Sequence, residues 1–202
     1  MDLQKSNDRS DISEENVVVE PKKETWWDII RFALITLAVV IPIRMYIAQP
    51  FIVSGLSMFP TFNDKEYLIV DEISYRFNPP TRGDVIIFRF PEDQSKFFIK
   101  RIIGLPGETV TISDGKVYIT KNGEKSLLDE PYIKEQTTKN SQTKLDSDQY
   151  FVMGDNRAVS YDSRYWGPLN ISFIRGRALV RLFPPNKISY QPGEFNNYQL
   201  TK

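Results

Sequence analysis

The N-terminal part of the chain divides into a polar stretch and an apolar stretch. Residues 1–24 contain seven acidic and four basic side chains and few large apolar ones, a composition typical of a disordered tail. Between Phe32 and Ile43 the only polar side chain is Thr36. With its aromatic and apolar flanks this stretch covers 22 residues, 26–47, which matches the ~20 residues that cross a bilayer as a helix. The pattern predicts a transmembrane helix over residues 25–47.

Three structures are compatible with this apolar stretch. A buried core helix and a cleaved secretory signal peptide are the alternatives to an uncleaved span. Tyr46 stands third before Gln49, at a position where cleavage sites carry a small residue, so the sequence favours the uncleaved span. Three basic residues before the apolar centre outnumber the single Arg44 after it. We therefore expect the tail to face the cytoplasm and residues 48–202 to lie across the membrane.

From Gln49 onward the pattern is that of β-strands. Runs of β-branched and aromatic residues alternate with turn signals such as Leu105-Pro106-Gly107, and Asn122-Gly123 indicates a hairpin. Residues 134–148 are almost wholly polar and predict a mobile surface insertion. The expected fold is a mainly β domain of antiparallel sheets over residues 48–202, behind a single transmembrane helix. The predicted strands cover residues 66–74, 84–90, 96–103, 108–112, 116–120, 149–153 and 178–183.

The chain has no histidine and no cysteine, which limits the chemistry open to it. A Ser-His-Asp triad, a Cys-His pair and a zinc site built from these ligands are all excluded. Lysine plus arginine and aspartate plus glutamate number 26 each. The resulting net charge of zero gives no reason to expect a nucleic-acid partner. The sequence predicts no metal and no other cofactor.

A lysine between apolar neighbours is the first candidate for chemistry. In the predicted strand 96–103, alternation puts Phe98, Lys100 and Ile102 on one face. Burial penalises the ammonium form and lowers the pKa of a lysine, so a buried Lys100 can act as a base. The alternative is a lysine whose amine reaches solvent from the edge of the strand.

A serine shortly after the apolar stretch is the second candidate. Ser57 lies between Gly55 and Pro60, which favour a tight turn that presents its hydroxyl and its backbone N–H. An N–H at this position suits an oxyanion hole. A plain surface turn is the alternative. Because the chain lacks histidine, the base for such a nucleophile is a carboxylate or a deprotonated lysine.

A third block of polar residues follows the predicted strand 149–153. Its charged residues alternate in sign, which by itself predicts a loop scaffold held by salt bridges. These alternating residues are Asp155, Arg157, Asp162 and Arg164.

Together the blocks form a pattern along the chain. They are Ser57-Met58-x-Pro60-Thr61, Arg82-Gly83-Asp84-Val85-Ile86-x-Phe88, Lys100-Arg101-x-x-Gly104-x-Pro106-Gly107 and Gly154-Asp155-Asn156-Arg157-x-x-Ser160-x-Asp162-Ser163-Arg164. In this order, after one N-terminal span, they resemble the type I signal peptidases of bacteria and organelles. The resemblance covers the span and essentially all of residues 49–185. It implies a β-rich Ser/Lys endopeptidase, in a plasma or thylakoid-type membrane, that removes signal peptides from exported preproteins at A-x-A sites.

The resemblance also implies a role for each matching residue. Ser57 becomes the nucleophile and Lys100 the general base, while Ser160 donates or accepts a hydrogen bond that orients the lysine amine. Two ion pairs are expected to hold the strands around the dyad: Arg101 with Asp155, and Asp162 with Arg164. The pockets for small substrate residues are expected to be lined by Val53, Met58 and Ile99.

The chain departs from the family pattern at two positions. Gly55 stands where some members carry a serine whose hydroxyl completes the oxyanion hole, so the second donor is left to a water molecule or another N–H. Val159 stands where asparagine is common, and we expect that change to be local.

Three rival functions make different demands on the sequence. A self-cleaving repressor-type protease needs an Ala-Gly cleavage site, and the chain has no Ala-Gly pair. A β-lactamase-like Ser-x-x-Lys enzyme needs a lysine three residues after Ser57, where Pro60 stands. A non-catalytic, membrane-anchored β-rich binding module keeps the span and the strands but requires no apolar-flanked lysine. This module is the alternative function.

Overall fold

The computed structural model describes residues 26–42, 48–136, 139–195 and 200–201. Helix α1 spans Trp26–Pro42 and the short helix α2 spans Ser163–Trp166. All strand pairings are antiparallel, which confirms the prediction of a mainly β fold. The described strands are β1 (Ala48–Ile52), β2 (Tyr67–Asp71), β3 (Val85–Phe90), β4 (Asp93–Gly104), β5 (Thr109–Ser113), β6 (Lys116–Lys121), β7 (Glu124–Leu128), β8 (Ser141–Lys144), β9 (Gln149–Met153), β10 (Leu169–Asn170), β11 (Ile174–Phe183), β12 (Ser189–Tyr190) and β13 (Leu200–Thr201).

Helix α1 has 17 residues, and its side chains from residue 26 to residue 41 are all exposed. Among the described residues, no helix combines the length and the apolar character that crossing a membrane requires. The predicted span over residues 25–47 extends beyond α1 at both ends. Residue 25, residues 43–47 and the predicted tail of residues 1–24 lie outside the described residues.

Two antiparallel sheets form the β-rich part of the chain. In the larger sheet the order is β1-β2-β11-β3-β4-β9-β10, with β12 paired to β11, and in the smaller sheet it is β13-β7-β6-β5-β8. The chain crosses from one sheet to the other where β4 ends and β5 begins, through the predicted turn at residues 105–107. Asn122 and Gly123 join β6 and β7 as predicted, and both have the positive φ that a tight hairpin requires.

Apolar side chains cover both faces of the larger sheet. In β3, Val85 and Ile87 pack in one cluster, while Ile86 and Phe88 pack in another on the opposite face. Because both faces are covered, residues 85–88 of β3 form a continuous apolar run and do not alternate with polar residues. A further cluster packs the smaller sheet against Phe151 of β9.

Every strand predicted from the sequence is present, with ends shifted by a few residues. The expectation of a mobile surface insertion over residues 134–148 is wrong for its second half. There β8 pairs with β5, and Leu145 is buried in the core. A short polar strand at a sheet edge carries little apolar signal, because its stability comes from main-chain hydrogen bonds to its neighbour. Residues 137–138 of this segment lie outside the described residues.

Candidate active site

A turn after β1 presents Ser57 beside the larger sheet. The chain reverses at Gly55, whose φ of 87° lies in the region that favours glycine. The Gly55 N–H donates to Asp64 Oδ1 at 2.8 Å, which closes the loop on one side of the serine. On the other side Met58 is buried, 1% exposed, and packs in the core. The half-buried Ser57 is therefore held between a tethered glycine and an anchored methionine.

Lys100 of β4 contacts this serine directly. Its Nζ lies 2.8 Å from Ser57 Oγ and also donates to the Ile99 carbonyl at 2.9 Å. The side chain is 4% exposed, and the centroid of the Phe98 ring is 5.2 Å from Nζ. Burial lowers the pKa of Lys100 to about 8, against the opposing attraction of two buried aspartates. At pH 7 about one amine in ten is then neutral and can accept the serine proton.

Gly154, just after β9, brings the third polar block against the nucleophile. A Cβ atom at Gly154 would collide with the Ser57 carbonyl oxygen and with Ser160 Oγ, so only glycine permits this approach. The Asn156 N–H donates to the same Ser57 carbonyl at 3.0 Å. Ser160 is 3% exposed, but its Oγ has no hydrogen-bond partner within the part of the chain that the structure describes. The predicted hydrogen bond between Ser160 and Lys100 is therefore not formed.

Two buried ion pairs hold the surrounding segments, and both were predicted. The Nε and Nη2 atoms of Arg101 donate to Asp155 at 2.8 and 2.6 Å, with both side chains fully buried. The Nε and Nη2 atoms of Arg164 donate to Asp162 at 2.7 and 2.8 Å. Thr61 Oγ1 donates to Asp155 at 2.5 Å, which ties the first pair to the segment after Ser57. Bidentate pairs of this kind fix orientation as well as distance.

A groove with a volume of about 740 Å³ is lined by both Ser57 and Lys100. Val53 and Ile99 line it as well, and their contact with substrate stays a prediction. Met58 is not among the residues that line the groove. It is buried in the same core cluster as Val53, and its contact with substrate stays a prediction. Further apolar lining residues were not predicted as such, among them Phe51, Leu56, Phe97 and Tyr161.

Two of these unpredicted lining residues stand out in the structure because they are large apolar side chains that are exposed, a property that the sequence alone does not show. Phe97 is 41% exposed and Tyr161 46% exposed, and large exposed apolar side chains close together mark binding surfaces. Phe97 lies on β4 and Tyr161 lies between β9 and α2, and no local pattern shows that these two segments meet at one groove. Among the described residues no group of three or more acidic side chains is placed to hold a metal ion. That the protein works without a metal stays a prediction.

Comparison with known proteins identifies the class to which this chain belongs. The family "Signal peptidase, peptidase S26" matches residues 26–183. A probable signal peptidase I-2 from Synechocystis sp. is 38% identical over 188 residues, which cover 86% of this chain and 84% of the relative. A signal peptidase I from Leptolyngbya laminosa is 43% identical over 156 residues, 72% of this chain and 74% of the relative. The chloroplastic thylakoidal processing peptidase 1 of Arabidopsis thaliana is 32% identical, over 78% of this chain and 48% of the relative.

The family match extends over residues 26–183, which include both Ser57 and Lys100. The chain belongs to the signal peptidase family, peptidase S26. It is a hydrolase of the signal peptidase I class, which confirms the resemblance seen in the sequence. The alternative function, a non-catalytic binding module, is therefore wrong.

Proposed function

We propose that this chain is a membrane-anchored serine endopeptidase that removes N-terminal signal peptides from exported preproteins, with Ser57 as nucleophile and Lys100 as general base. The observation that carries the proposal is the 2.8 Å contact between a buried amine and the serine hydroxyl in an apolar groove. Because burial lowers the pKa of Lys100 to about 8, a neutral amine is available for proton transfer. No imidazole exists in the chain to take that role.

The reaction proceeds through an acyl-enzyme. Neutral Lys100 takes the Ser57 proton as Oγ attacks the scissile carbonyl carbon. The C–N bond then breaks, the Lys100 ammonium gives its proton to the leaving amine, and the signal peptide stays bound to Ser57 as an ester. Lys100 next removes a proton from water as the water oxygen attacks the ester carbonyl carbon. The ester C–O bond then breaks, the Lys100 ammonium returns its proton to Ser57 Oγ, and the signal peptide is released with a free carboxyl terminus.

Charge on the carbonyl oxygen is stabilised in part by the backbone of the nucleophile. The Ser57 N–H supplies one donor to the developing oxyanion. Gly55 contributes no hydroxyl, and its N–H already donates to Asp64. The second donor is therefore a water molecule or another N–H.

The substrate binds as an extended peptide along the edge of β4. Pairing between β4 and β9 begins only at Arg101, so the preceding part of β4 has no partner on that side among the described strands. Main-chain hydrogen bonds to such an edge give affinity, and pockets for alternate side chains give specificity. Val53 and Ile99 present apolar surface beside the dyad, which suits the small side chains of an A-x-A site.

The N-terminal helix anchors the enzyme in this proposal. From residue 32 to residue 41 the exposed side chains of α1 are apolar apart from Thr36, a pattern typical of a membrane span. The apolar sequence extends to residue 47. The basic residues before the span place residues 1–24 in the cytoplasm and residues 48–202 on the opposite side. The thylakoidal relative makes a thylakoid-type membrane a second candidate host beside the plasma membrane.

Removing either reacting group tests the dyad. Ser57→Ala and Lys100→Ala are each expected to abolish preprotein cleavage, because no other group can supply the nucleophile or the base. The purified full chain in detergent is incubated with a preprotein and the new N-terminus is sequenced, while circular dichroism checks that each variant is folded. We expect the cut directly after an A-x-A sequence and no effect of a chelator. Wild-type cleavage by either variant contradicts the dyad.

A further inference from the structure

A buried ion pair close to the active site joins the last of the four sequence blocks to a residue outside all of them. Arg157 donates from Nη1 and Nη2 to the two carboxylate oxygens of Glu130 at 3.0 and 2.5 Å. The side chains are 0% and 6% exposed. Tyr132 donates from its hydroxyl to the same carboxylate at 2.9 Å. Glu130 lies two residues after the end of β7, outside the segments that carry the dyad.

The remaining nitrogen of Arg157 reaches the residue that contacts the nucleophile. Its Nε donates to the Gly154 carbonyl at 3.0 Å. On the other side of this residue the Gly154 N–H donates to Asp162 at 3.0 Å. Gly154 is thus fixed from both sides where it contacts the Ser57 carbonyl and Ser160. The guanidinium is rigid and planar, so the carboxylate that holds two of its nitrogens also sets the direction of the third.

Residues 129–135, which include Glu130 and which we name the arm, make two more contacts with the active-site scaffold. The centroid of the Tyr132 ring is 4.1 Å from the guanidinium carbon of Arg101. Lys134 Nζ is 4.8 Å from the centroid of the Phe59 ring, two residues after the nucleophile. The arm therefore contacts β4, the turn of Ser57 and the block around Gly154.

We propose that Glu130 is a positioning residue of the active site. It acts through Arg157 and Gly154 to keep the Ser57 backbone and Ser160 correctly aligned with Lys100. The proposal rests on the Ser/Lys dyad of the proposed function. Glu130 is not among the residues that line the groove. Its loss is expected to lower kcat and leave KM nearly unchanged, because only the alignment of the reacting groups changes.

A second buried arginine–glutamate pair provides a matched control. Arg82 Nη2 donates to both oxygens of Glu108 at 2.8 and 2.9 Å, and the side chains are 10% and 1% exposed. It joins the two sheets, since Arg82 precedes β3 and Glu108 precedes β5. Its further backbone partners are Ile103 and Leu105, away from the groove-lining residues. It therefore serves the fold without contacting the active site.

The test compares Glu130→Gln with Glu108→Gln in the full chain, measuring Tm together with kcat and KM for one preprotein. Both variants are expected to lose Tm, because each leaves a buried arginine without its counter-charge. Only Glu130→Gln is expected to lose kcat, by about tenfold or more, with KM within about twofold. Glu130→Asp keeps the charge on a shorter side chain and is expected to recover part of kcat. Assays run well below the Tm of every variant.

The outcomes separate a positioning role from a purely structural one. If Glu130→Gln loses Tm as Glu108→Gln does but keeps its kcat, Glu130 only stabilises the fold and the proposal is overturned. If Glu130→Gln does not fold, Arg157→Lys takes its place in the comparison, because it keeps the positive charge but loses the planar group that reaches both Glu130 and Gly154. A wild-type kcat in that variant would equally overturn the proposal. Ser57→Ala in the same assay distinguishes the two failures: cleavage by that variant contradicts the dyad, whereas an inactive Ser57→Ala beside an unimpaired Glu130→Gln contradicts the role of Glu130 alone.

Discussion

Lys100 and Arg101 are consecutive residues of β4, and their side chains lie on opposite faces of the strand. Both are buried, with exposures of 4% and 0%. Arg101 donates to both carboxylate oxygens of Asp155 and to the Gly83 and Gly193 carbonyls. Lys100 has no ion pair within the described residues, where its amine forms hydrogen bonds with a hydroxyl and a carbonyl.

The two faces therefore carry two kinds of buried cation: Arg101, which is ion-paired and structural, and Lys100, whose amine has no ion pair in the described part of the chain and can lose its proton. A buried cation with a well-placed counter-charge stays charged and fixes the segments around it. A buried amine without one lowers the penalty of burial by releasing its proton, which is what a general base requires. In the proposed function, one strand therefore holds the active site together on one face and supplies the base on the other.

Removing the structural cation is expected to have the largest effect. Arg101→Met leaves the carboxylate of Asp155 buried without a counter-charge, and we expect the free energy of unfolding to fall by about 3–5 kcal/mol. Thermal unfolding of the full chain in detergent, followed by circular dichroism, measures the loss. The double variant Arg101→Met/Asp155→Leu removes both charges and is expected to regain part of it. A Tm near that of the wild type for Arg101→Met would show that the pair does not hold the fold.

Removing the Lys100 amine is expected to raise the free energy of unfolding, the opposite of the effect of removing Arg101. The folded-state pKa of Lys100 is lowered from 10.5 to about 8, which corresponds to a penalty of about 3 kcal/mol when the amine is protonated in both states. Lys100→Met is therefore expected to raise the free energy of unfolding by up to about that amount below pH 8. The gain shrinks as the pH rises from 8 toward 10.5, because the folded wild type then loses its proton and its penalty.

An exposed lysine of the same strand provides the control for this gain. The Lys96 side chain is 64% exposed and pairs with Asp93 at 2.9 Å. Lys96→Met is expected to change the free energy of unfolding by less than about 0.5 kcal/mol at any pH, as surface substitutions usually do. If Lys100→Met gave no gain at pH 6, or the same gain as Lys96→Met, burial of the Lys100 amine would not destabilise the fold.

Local patterns predicted much of this contrast from the sequence. Alternation in β4 places Phe98 beside Lys100 and Arg101 on the other face, since strand geometry alone decides it. The strands themselves were predictable because β-branched runs between turn residues carry their own signal. The roles of Ser57 and Lys100, and the pairing of Arg101 with Asp155, came instead from the resemblance of whole blocks to a family.

Features that depend on distant segments were not predictable. Met58 lies beside the nucleophile in sequence but packs in the core, against residues of distant strands such as Val85 and Ala178. The strand β8 has a polar sequence and is defined by its pairing with β5. Glu130 and Arg157 are 27 positions apart, so no local pattern joins them. In each case the deciding contact comes from another part of the chain.

The smallest expected effect is the pH dependence of cleavage, which tests whether the Lys100 amine differs from Arg101 in chemistry as well as in structure. The base must be neutral, and Lys100, with a pKa of about 8, is protonated below that pH. We therefore expect kcat/KM, which reports the free enzyme, to be about tenfold lower at pH 7 than on its plateau above pH 9. Circular dichroism at each pH separates this effect from unfolding. A flat profile from pH 6 to pH 9 would mean that another group takes the serine proton, and the unpaired amine would then differ from its paired neighbour in structure but not in chemistry.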